Sequence, residues 1–313
     1  MLIPVLITGG AGFIGSSLAD ALLHTGKYYV VLADNLFTGS FEKVPQHENC
    51  RLVHCDVNDF ESIAGVMRSQ SFAAVFHYAA VVGVKRTLAQ PLLVLRDLSG
   101  IKNVLDLSRE TGVKRVFYSS SSEVYGEPVE LPQHEETTPL NSRLPYAVVK
   151  NAGESFCRAY QQEYGLNYTV FRFFNTYGPK QSEDFVISKF LIAALENRPI
   201  TIYGNGLQTR TFCYILDNTA CTIKIMEDDL MLNSVINIGN DEEITMVDLA
   251  QKIKDLTNSK STIEFLPALK EGDMTRRKPD IDKMKSILNR PLKSLEEGLT
   301  EMLRTFGQRY QTK

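Results

Sequence analysis

The sequence predicts an α/β fold in which helices cover both faces of a parallel β-sheet. The first observation is that short apolar strand patterns alternate with helical patterns through the first half of the chain. The second is a glycine-spaced loop, TGGAGFIG, between the first strand pattern and the first helical pattern. Alternation of this kind implies right-handed crossovers between neighbouring parallel strands, which place the helices on the two faces of the sheet.

The chain up to Phe174 contains six strand patterns separated by helical patterns. The first helical pattern has Ile14, Leu18, Ala21 and Leu22 on one face, as expected for a helix that packs on a sheet. The strand patterns are VLIT (5–8), YVVLAD (29–34), RLVHCD (51–56), AAVFHYA (73–79), RVFYSS (115–120) and YTVFRFF (168–174), and the helical patterns are 12–26, 59–69, 92–110 and Tyr146 to about Tyr164.

Beyond residue 174 the pattern is less regular. Short strands are mixed with helices there, and this part is predicted to form a smaller lobe that is partly interleaved with the first. The strand patterns are 200–203, 211–215, 235–238 and 262–265, and the helical patterns are 184–196, 217–228, 245–257, 280–288 and 294–308.

The composition excludes several classes of protein. The 313 residues are 43% hydrophobic and 23% charged, which is ordinary for a soluble globular chain, and the net charge of −3 provides no basic field for nucleic acid or acidic lipid. The five cysteines contain no CxxC pair and the five histidines no HExxH spacing, so we expect reduced thiols and no metal site. No apolar window is long enough to span a bilayer. We predict a cytoplasmic protein without a membrane or nucleic-acid partner.

The TGGAGFIG loop predicts a dinucleotide site. Gly9, Gly12 and Gly15 follow a strand and open a helix, where glycine allows a tight turn and a close approach of phosphate to the backbone. The first helical N–H groups, at Phe13 and Ile14, then face the pyrophosphate with the positive end of the helix dipole. This context makes the fold of the Rossmann type, a doubly wound parallel sheet.

An acid at the end of the second strand indicates which dinucleotide binds. Asp34 lies about twenty residues beyond the loop, where a carboxylate can accept both ribose hydroxyls of an adenosine and would repel a 2′-phosphate. NAD is therefore favoured over NADP. Asp56, at the end of the third strand, has the position of an adenine-side contact. Neighbours at the strand ends complete the predicted cofactor set: Asn35, Val57, Ala79 and Ala80.

A tyrosine and a lysine four residues apart suggest the chemistry. Tyr146 and Lys150 share one face of the predicted helix, so the ammonium lies near the phenol and favours the phenolate. Such a phenolate can remove a hydroxyl proton while a hydride leaves the same carbon for NAD. Both residues therefore join the cofactor set as well as the catalytic set.

The serine-rich segment SSSSEVYGEP follows the fifth strand pattern. If the strand remains extended, Ser121 and Glu123 point the same way, because side chains two apart share a face of a strand. Ser121 can then share a hydrogen bond with Tyr146 and a substrate hydroxyl. Glu123 lies on the same predicted face, with Ser122 between them.

These segments together resemble the extended short-chain dehydrogenase/reductase family, and within it the nucleotide-sugar epimerases, dehydratases and decarboxylases. The resemblance rests on TGGAGFIG, DNLFTG, SSSSEVYGEP, YAVVK, RFFNTYGP, GNGLQTRTFCYILD and RRKPDI, which occur in this order over nearly the whole chain. It implies a tightly bound NAD that is reduced and reoxidised in one turnover. Tyr146, Lys150 and Ser121 would be catalytic.

The same resemblance implies a UDP-sugar substrate held by the C-terminal lobe. Asn175 matches a position that contacts the sugar diphosphate, Arg210 matches a phosphate-binding arginine, and Arg277 matches an arginine in the substrate site of decarboxylase-type members. Ser122 and Glu123 would also contact the sugar. A homodimer through the helices around 98–110 and 146–163 is a further family expectation.

Different segments of the chain resemble different branches of the family. Dehydratases carry an Asp immediately before the Glu, where this chain has Ser122. The Ser122–Glu123 pair, Arg277 and DNLFTG resemble UDP-glucuronate decarboxylases of the UDP-xylose synthase type. The continuation VVGVKRTLAQP and the short segment PKQSEDFVISKF instead resemble epimerases. The sequence favours a 4-epimerase acting on a UDP-hexose or UDP-hexuronate, with the decarboxylase as the alternative, and a 4,6-dehydratase or a non-catalytic NAD-binding scaffold as weaker ones.

The chain is predicted to form two lobes. The NAD-binding domain is predicted over 1–172, with a return at about 211–244. The nucleotide-sugar-binding lobe is predicted over 173–210 and 245–313.

Overall fold

The computed structural model describes residues 1–268 and 276–311. The strands are β1 (Ile3–Thr8), β2 (Tyr28–Asp34), β3 (Cys50–His54), β4 (Ala74–His77), β5 (Arg115–Ser121), β6 (Asn167–Phe173), β7 (Thr176–Tyr177), β8 (Ile200–Tyr203), β9 (Thr209–Arg210), β10 (Cys213–Tyr214), β11 (Ser234–Ile238), β12 (Ile244–Thr245) and β13 (Ile263–Leu266). The helices are α1 (Phe13–His24), α2 (Phe60–Met67), α3 (Val84–Ala89), α4 (Pro91–Leu95), α5 (Asp97–Glu110), α6 (Pro145–Tyr164), α7 (Val186–Leu195), α8 (Ile215–Glu227), α9 (Met246–Thr257), α10 (Asp282–Leu288) and α11 (Leu295–Gln311).

A seven-stranded sheet forms the centre of the fold, in the order β11-β6-β5-β4-β1-β2-β3. The pairs from β6 through to β3 are parallel. From β1 the chain continues to β2 and β3 on one side of the sheet, and from β4 it continues to β5 and β6 on the other. The carboxyl ends of β1 and β4 therefore flank a topological switch point, which is the usual place for a ligand in such sheets. The predicted Rossmann-type α/β fold is confirmed.

The central strands are apolar because both faces of the sheet are covered. Val5, Leu6 and Ile7 of β1 have no exposed surface, and neither have Phe76 of β4 and Phe117 of β5. Continuous burial of this kind, without an alternating polar face, is the pattern expected of parallel strands between two helical layers.

The chain divides into two compact units. The first comprises 1–126, 140–173 and 219–236, and the second comprises 127–139, 174–218 and 237–313. The segment 127–139, which we expected in the first unit, belongs to the second because its backbone pairs there: the Gln133 N–H donates to the Lys278 oxygen (2.7 Å), and the Gln133 oxygen accepts from the Asp280 N–H (2.8 Å). Residues 269–275 and 312–313 of the predicted sugar-binding lobe lie outside the described residues.

Some predicted elements differ in detail. The helical pattern 92–110 corresponds to α4 and α5, and α3 lies in VVGVKRTLAQ, for which we predicted no element. Within the predicted strand 211–215 only Cys213–Tyr214 is a strand, β10. Thr211 and Phe212 connect it to β9, which precedes the predicted range, because β9 and β10 pair with different partners, β12 and β7.

The described residues contain no helix with the length and apolar character of a membrane span. Within the same residues no three His, Cys, Asp or Glu side chains are grouped in a way that could hold a metal ion.

Candidate active site

The glycine-rich loop packs directly on the ends of β1 and β4. Gly9 adopts φ +68°, and a Cβ on it would lie 2.7 Å from the Ala79 nitrogen. A Cβ on Gly15 would lie 2.5 Å from the Gly9 oxygen. Side chains at either position would push the loop, α1 and the end of β4 apart. The glycines therefore create a surface where a ligand can approach the backbone closely.

The N-terminus of α1 lies in this loop. Gly12 is the N-cap, and it supplies no side-chain cap to the N–H groups of the first turn. These groups, which include those of Phe13 and Ile14, have no partner within the helix because they precede its first complete turn. Backbone donors at a helix start suit the pyrophosphate of NAD.

Asp34 ends β2 beside the glycine-rich loop. Only 8% of its surface is exposed, and its carboxylate accepts from the Ala11 N–H at Oδ2 (2.9 Å) and from the Leu36 N–H at Oδ1 (2.7 Å). Each oxygen retains a lone pair in a fixed direction, as a ribose diol requires. A Cβ on Gly39 would lie 2.7 Å from Oδ1, so the loop after Asp34 also depends on glycine.

The other predicted cofactor residues lie at neighbouring strand ends of the first unit. Asp56 follows β3 and accepts from the Asn58 N–H (2.9 Å), while Val57 is buried. The Ala79 N–H donates to Thr8 Oγ1 (3.3 Å), which ties the end of β4 to β1, and half-buried Ala80 follows it. Asn35 is exposed, and its side chain accepts from the Phe37 N–H (3.0 Å).

Tyr146 and Lys150 lie one turn apart on α6. Lys150 Nζ lies 5.7 Å from the centroid of the Tyr146 ring and 5.2 Å from that of Tyr118. It donates to the Ser119 backbone oxygen (2.7 Å) and to Ser119 Oγ (3.3 Å). Ser119, which we did not single out from the sequence, therefore fixes the ammonium beside the phenol ring.

Burial controls the charge of Lys150. The side chain is 3% exposed, and burial lowers its pKa to about 8, while the carboxylate of Asp97 acts in the opposite direction. Asp97 is itself buried and accepts from the Val81 N–H (2.8 Å). Burial raises the pKa of Asp97, whereas the Val81 N–H and Lys150 lower it. We did not single out Asp97 from the sequence, because an acid in a predicted helix is common.

His77 does not take part in this proton chemistry. It is 3% exposed, and its Nδ1 lies 2.8 Å from Thr8 Oγ1. Burial and the charge of Lys150 lower its pKa to about 3, so the ring is neutral in the physiological range. The ring therefore has a structural role, as a buried link between β4 and β1.

The serine-rich segment turns sharply after Ser121. Strand β5 ends there, a 3-10 helix spans Ser122–Tyr125, and Ser121 Oγ accepts from the Glu123 N–H (3.2 Å). Our expectation of an extended strand with Ser121 and Glu123 on one face is wrong, because the serine hydroxyl caps a turn instead. Ser122 is buried and Glu123 half-buried on this turn.

The second unit brings three predicted substrate residues into neighbouring chain segments. Asn175 Nδ2 donates to the Thr211 oxygen (3.0 Å), next to Arg210. A parallel bridge pairs the backbone of Thr209 with that of Arg276. Arg210 and Arg277 are the next residues of these two paired segments. Both arginines are buried, at 9% and 7% exposure.

The NAD dependent epimerase/dehydratase family matches residues 5–239 of the chain. The chain belongs to this family. The resemblance inferred from the sequence is thereby confirmed, as is NAD as the cofactor of the group.

Relatives within the family differ in their reactions. UDP-glucuronic acid decarboxylase 1 of Danio rerio is 36% identical over 314 residues, which are 97% of this chain and 72% of that relative. The structure of UDP-glucose 4-epimerase from Thermotoga maritima with UDP-glucose has a TM-score of 0.92 and 31% identity, and the match covers 98% of this chain and 100% of that one. The UDP-glucose 4-epimerase of Thermus thermophilus in complex with NAD has a TM-score of 0.90 and 30% identity, covering 97% of this chain and 99% of that one.

Proposed function

We propose that this member of the family oxidises C4 of a UDP-hexuronate and releases its carboxylate as carbon dioxide, as a UDP-glucuronate decarboxylase. The observation that carries the proposal is the pair of buried arginines, Arg210 and Arg277, on adjacent segments. A guanidinium suits a diphosphate, for which Arg210 is the candidate. Arg277, on the adjacent paired segment, is the candidate for the C6 carboxylate of a uronate, an anion that a hexose ring lacks, and a guanidinium suits a carboxylate as well as a phosphate.

The residues of the first unit supply the shared first step. Tyr146 takes the proton of the C4 hydroxyl, and the charge of Lys150 favours the phenolate that does so. Ser121 hydrogen-bonds the same hydroxyl. The glycine-rich loop and Asp34 would hold NAD, which would supply the hydride acceptor for C4 and the hydride donor for the final reduction.

Loss of carbon dioxide then follows from the position of the ketone. The C4 carbonyl is β to the C6 carboxylate, so the C5–C6 bond breaks with its electron pair moving into a C4–C5 enolate. A proton added at C5 and the returned hydride and proton at C4 complete a UDP-pentose. Arg277 binds the carboxylate before it leaves, and Ser122 and Glu123 contact the sugar. The Danio rerio relative, named for this reaction, supports the assignment.

A 4-epimerase is the second candidate. Two sequence features favour it, VVGVKRTLAQP and the short PKQSEDFVISKF segment, and the Thermotoga maritima enzyme with the same fold is named for epimerisation. In that reaction the ketone presents its opposite face before the hydride returns, and no carbon is lost.

A single substrate separates the two reactions. With UDP-glucuronate labelled with carbon-13 at C6, we expect labelled carbon dioxide and a UDP-pentose by NMR. UDP-galacturonate without carbon dioxide would instead show an epimerase. If no nucleotide sugar in a panel with UDP-glucose and UDP-N-acetylglucosamine changes the absorbance near 340 nm or gives product, the chain is a cofactor-binding scaffold. Tyr146→Phe is the inactive control.

The same substrate tests the role of Arg277. Arg277→Met is expected to raise KM for UDP-glucuronate at least tenfold, about 1.4 kcal/mol of lost binding, because the carboxylate loses its counter-ion. Affinity for UDP itself is expected to stay within about twofold, since the diphosphate is assigned to Arg210. An unchanged KM would contradict the carboxylate assignment.

We also propose a cytoplasmic homodimer that associates through α5 and α6. Val148 of α6 is 46% exposed, and Leu92 and Leu95 of α4, the short helix that directly precedes α5, are 77% and 38% exposed. A second copy would cover them. Light scattering measures the mass of the purified protein in solution, which should be that of two chains; the mass of one chain would contradict the dimer.

A further inference from the structure

A buried ion pair lies beneath the candidate active site of the first unit. Glu154 of α6 has no exposed surface, and Arg172 of β6 is 3% exposed. The guanidinium donates from Nε to Glu154 Oε1 (3.0 Å) and from Nη2 to Oε2 (2.7 Å). Burial opposes the charge of Arg172, but the bonds to Glu154 outweigh it and raise its pKa. The bidentate geometry fixes the direction of both groups.

The pair also holds the serine-rich turn at both of its ends. Ser120, the residue before Ser121, donates from Oγ to Glu154 Oε1 (2.6 Å). At the far end of the turn, Arg172 Nη1 donates to the hydroxyl of Tyr125 (2.9 Å), and the guanidinium lies 4.8 Å from the centroid of that ring. The stretch between these contacts is Ser121 to Val124, which contains the predicted catalytic and sugar-contacting residues.

The same pair sets the register of the helix that carries the tyrosine and the lysine. Tyr146, Lys150 and Glu154 follow at intervals of four on α6 and share one face. Lys150 bonds to Ser119, and Glu154 bonds to Ser120. Two successive turns of the helix are thus joined to two successive residues of β5. The exposed Arg158, 3.8 Å from Glu154, is a further, weaker neighbour.

We propose that Glu154 and Arg172, acting through Ser120 and Tyr125, are positioning residues that hold Ser121 and Glu123 in register with Tyr146 and Lys150. The proposal rests on the proposed oxidation at C4, since it concerns the alignment of the groups for that step. A displacement of about 1 Å between reacting groups can slow a reaction by about 100-fold, so a rigid link beneath the turn affects rate more than binding.

Two small changes test the link without removing the ion pair. Tyr125→Phe deletes the hydroxyl that bonds Arg172, and Ser120→Ala deletes the hydroxyl that bonds Glu154. Tyr160→Phe is the matched control. Tyr160 lies on α6, as Glu154 does, but away from the turn, and its hydroxyl donates to the carboxylate of Asp106 in α5 (2.7 Å). All are compared with the wild type on the nucleotide sugar that it converts.

We expect kcat to fall about tenfold in Tyr125→Phe and in Ser120→Ala, with KM and the Kd for NAD within about twofold of the wild type. In Tyr160→Phe, kcat should stay within about twofold of the wild type, even if Tm falls as far as it does in the two test variants. If both test variants keep the kcat of the control, or lose activity only in proportion to Tm, the pair is merely structural and the proposal is overturned. If the wild type converts no nucleotide sugar, the proposed function fails first, and the positioning role with it.

Discussion

Lys150 shows at the scale of one residue how burial and charge are balanced in the first unit. The groups around it are the backbone oxygen and hydroxyl of Ser119, the carboxylate of Asp97, the neutral ring of His77 and the rings of Tyr118 and Tyr146. Among these neighbours, Asp97 is the one charged group that raises the pKa of the lysine. Because burial outweighs that carboxylate, the ammonium loses its proton near pH 8 and not near its ordinary 10.5.

This balance predicts opposite pH trends for activity and stability. Activity of the wild type should fall as pH rises through about 8, because uncharged Lys150 no longer favours the Tyr146 phenolate. The unfolded chain binds more protons than the folded chain between pH 8 and 10.5, so the contribution of Lys150 to stability should rise over the same window.

Variants at this position separate the two effects. Lys150→Met should lower kcat by about 10²–10⁴-fold and remove the Lys150-dependent rise in stability, while Lys150→Arg keeps the charge and should lose the alkaline limb of the pH profile. Rate profiles and urea unfolding at several pH values measure both. An alkaline limb near pH 8 that persists in Lys150→Arg would assign it to another group.

At the scale of one element, α6 connects catalysis to packing. The face with Tyr146, Lys150 and Glu154 also carries Gly153, over which fully buried Tyr118 of β5 packs. A Cβ on Gly153 would lie 2.7 Å from Cε1 of Tyr118 and closer still to its hydroxyl. The close approach of α6 to β5 therefore depends on a glycine inside a helix, where glycine is otherwise unfavourable.

Alanine substitutions test this close approach. Gly153→Ala should destabilise the chain by about 1–3 kcal/mol, because neither α6 nor the buried ring can move without cost. Gly65→Ala is the matched control: Gly65 lies in α2 with no atom within 4 Å of an added Cβ, and alanine there should be neutral or stabilise by up to about 1 kcal/mol. Equal effects in urea unfolding would show that α6 tolerates the added methyl group.

At the scale of the whole molecule, the first unit is assembled from three separate segments. Its sheet needs β11, which follows β6 by about sixty residues of chain and pairs at its edge. Without β11, one edge of β6 is unpaired, and this strand contains residues that are buried in the folded chain, such as Tyr168, Val170 and Phe171. Unpaired apolar edges promote aggregation.

Fragments test this dependence. The fragment 1–173 contains six strands of the sheet but lacks β11, and it should be largely insoluble and bind no NAD. The fragment 1–238 ends with β11 and should recover solubility and helical far-UV circular dichroism. If 1–173 unfolds cooperatively and binds NAD as tightly as the full chain, β11 is not required for the first unit.

Much of the fold and of the candidate site follows from local sequence. Strand and helix patterns depend on periodicity over a few residues, and a helix places residues four apart on one face whatever surrounds it. The glycine-rich loop, Asp34 at the end of β2 and the Tyr146–Lys150 pair were therefore predictable, as was NAD. Local signals were insufficient at Ser121. The residue could have continued the strand, but its hydroxyl instead caps a turn.

The sequence by itself determined the parallel α/β fold, the cofactor loop and the tyrosine–lysine helix, because each depends on neighbours along the chain. Only the tertiary structure placed Asp97 beside Lys150, paired Glu154 with Arg172, and brought Asn175, Arg210 and Arg277 onto neighbouring segments. These contacts join residues from different strands and helices, and their partners are chosen by sheet order and burial. No local periodicity encodes that choice, since a buried charge needs a partner but does not specify where in the chain it lies.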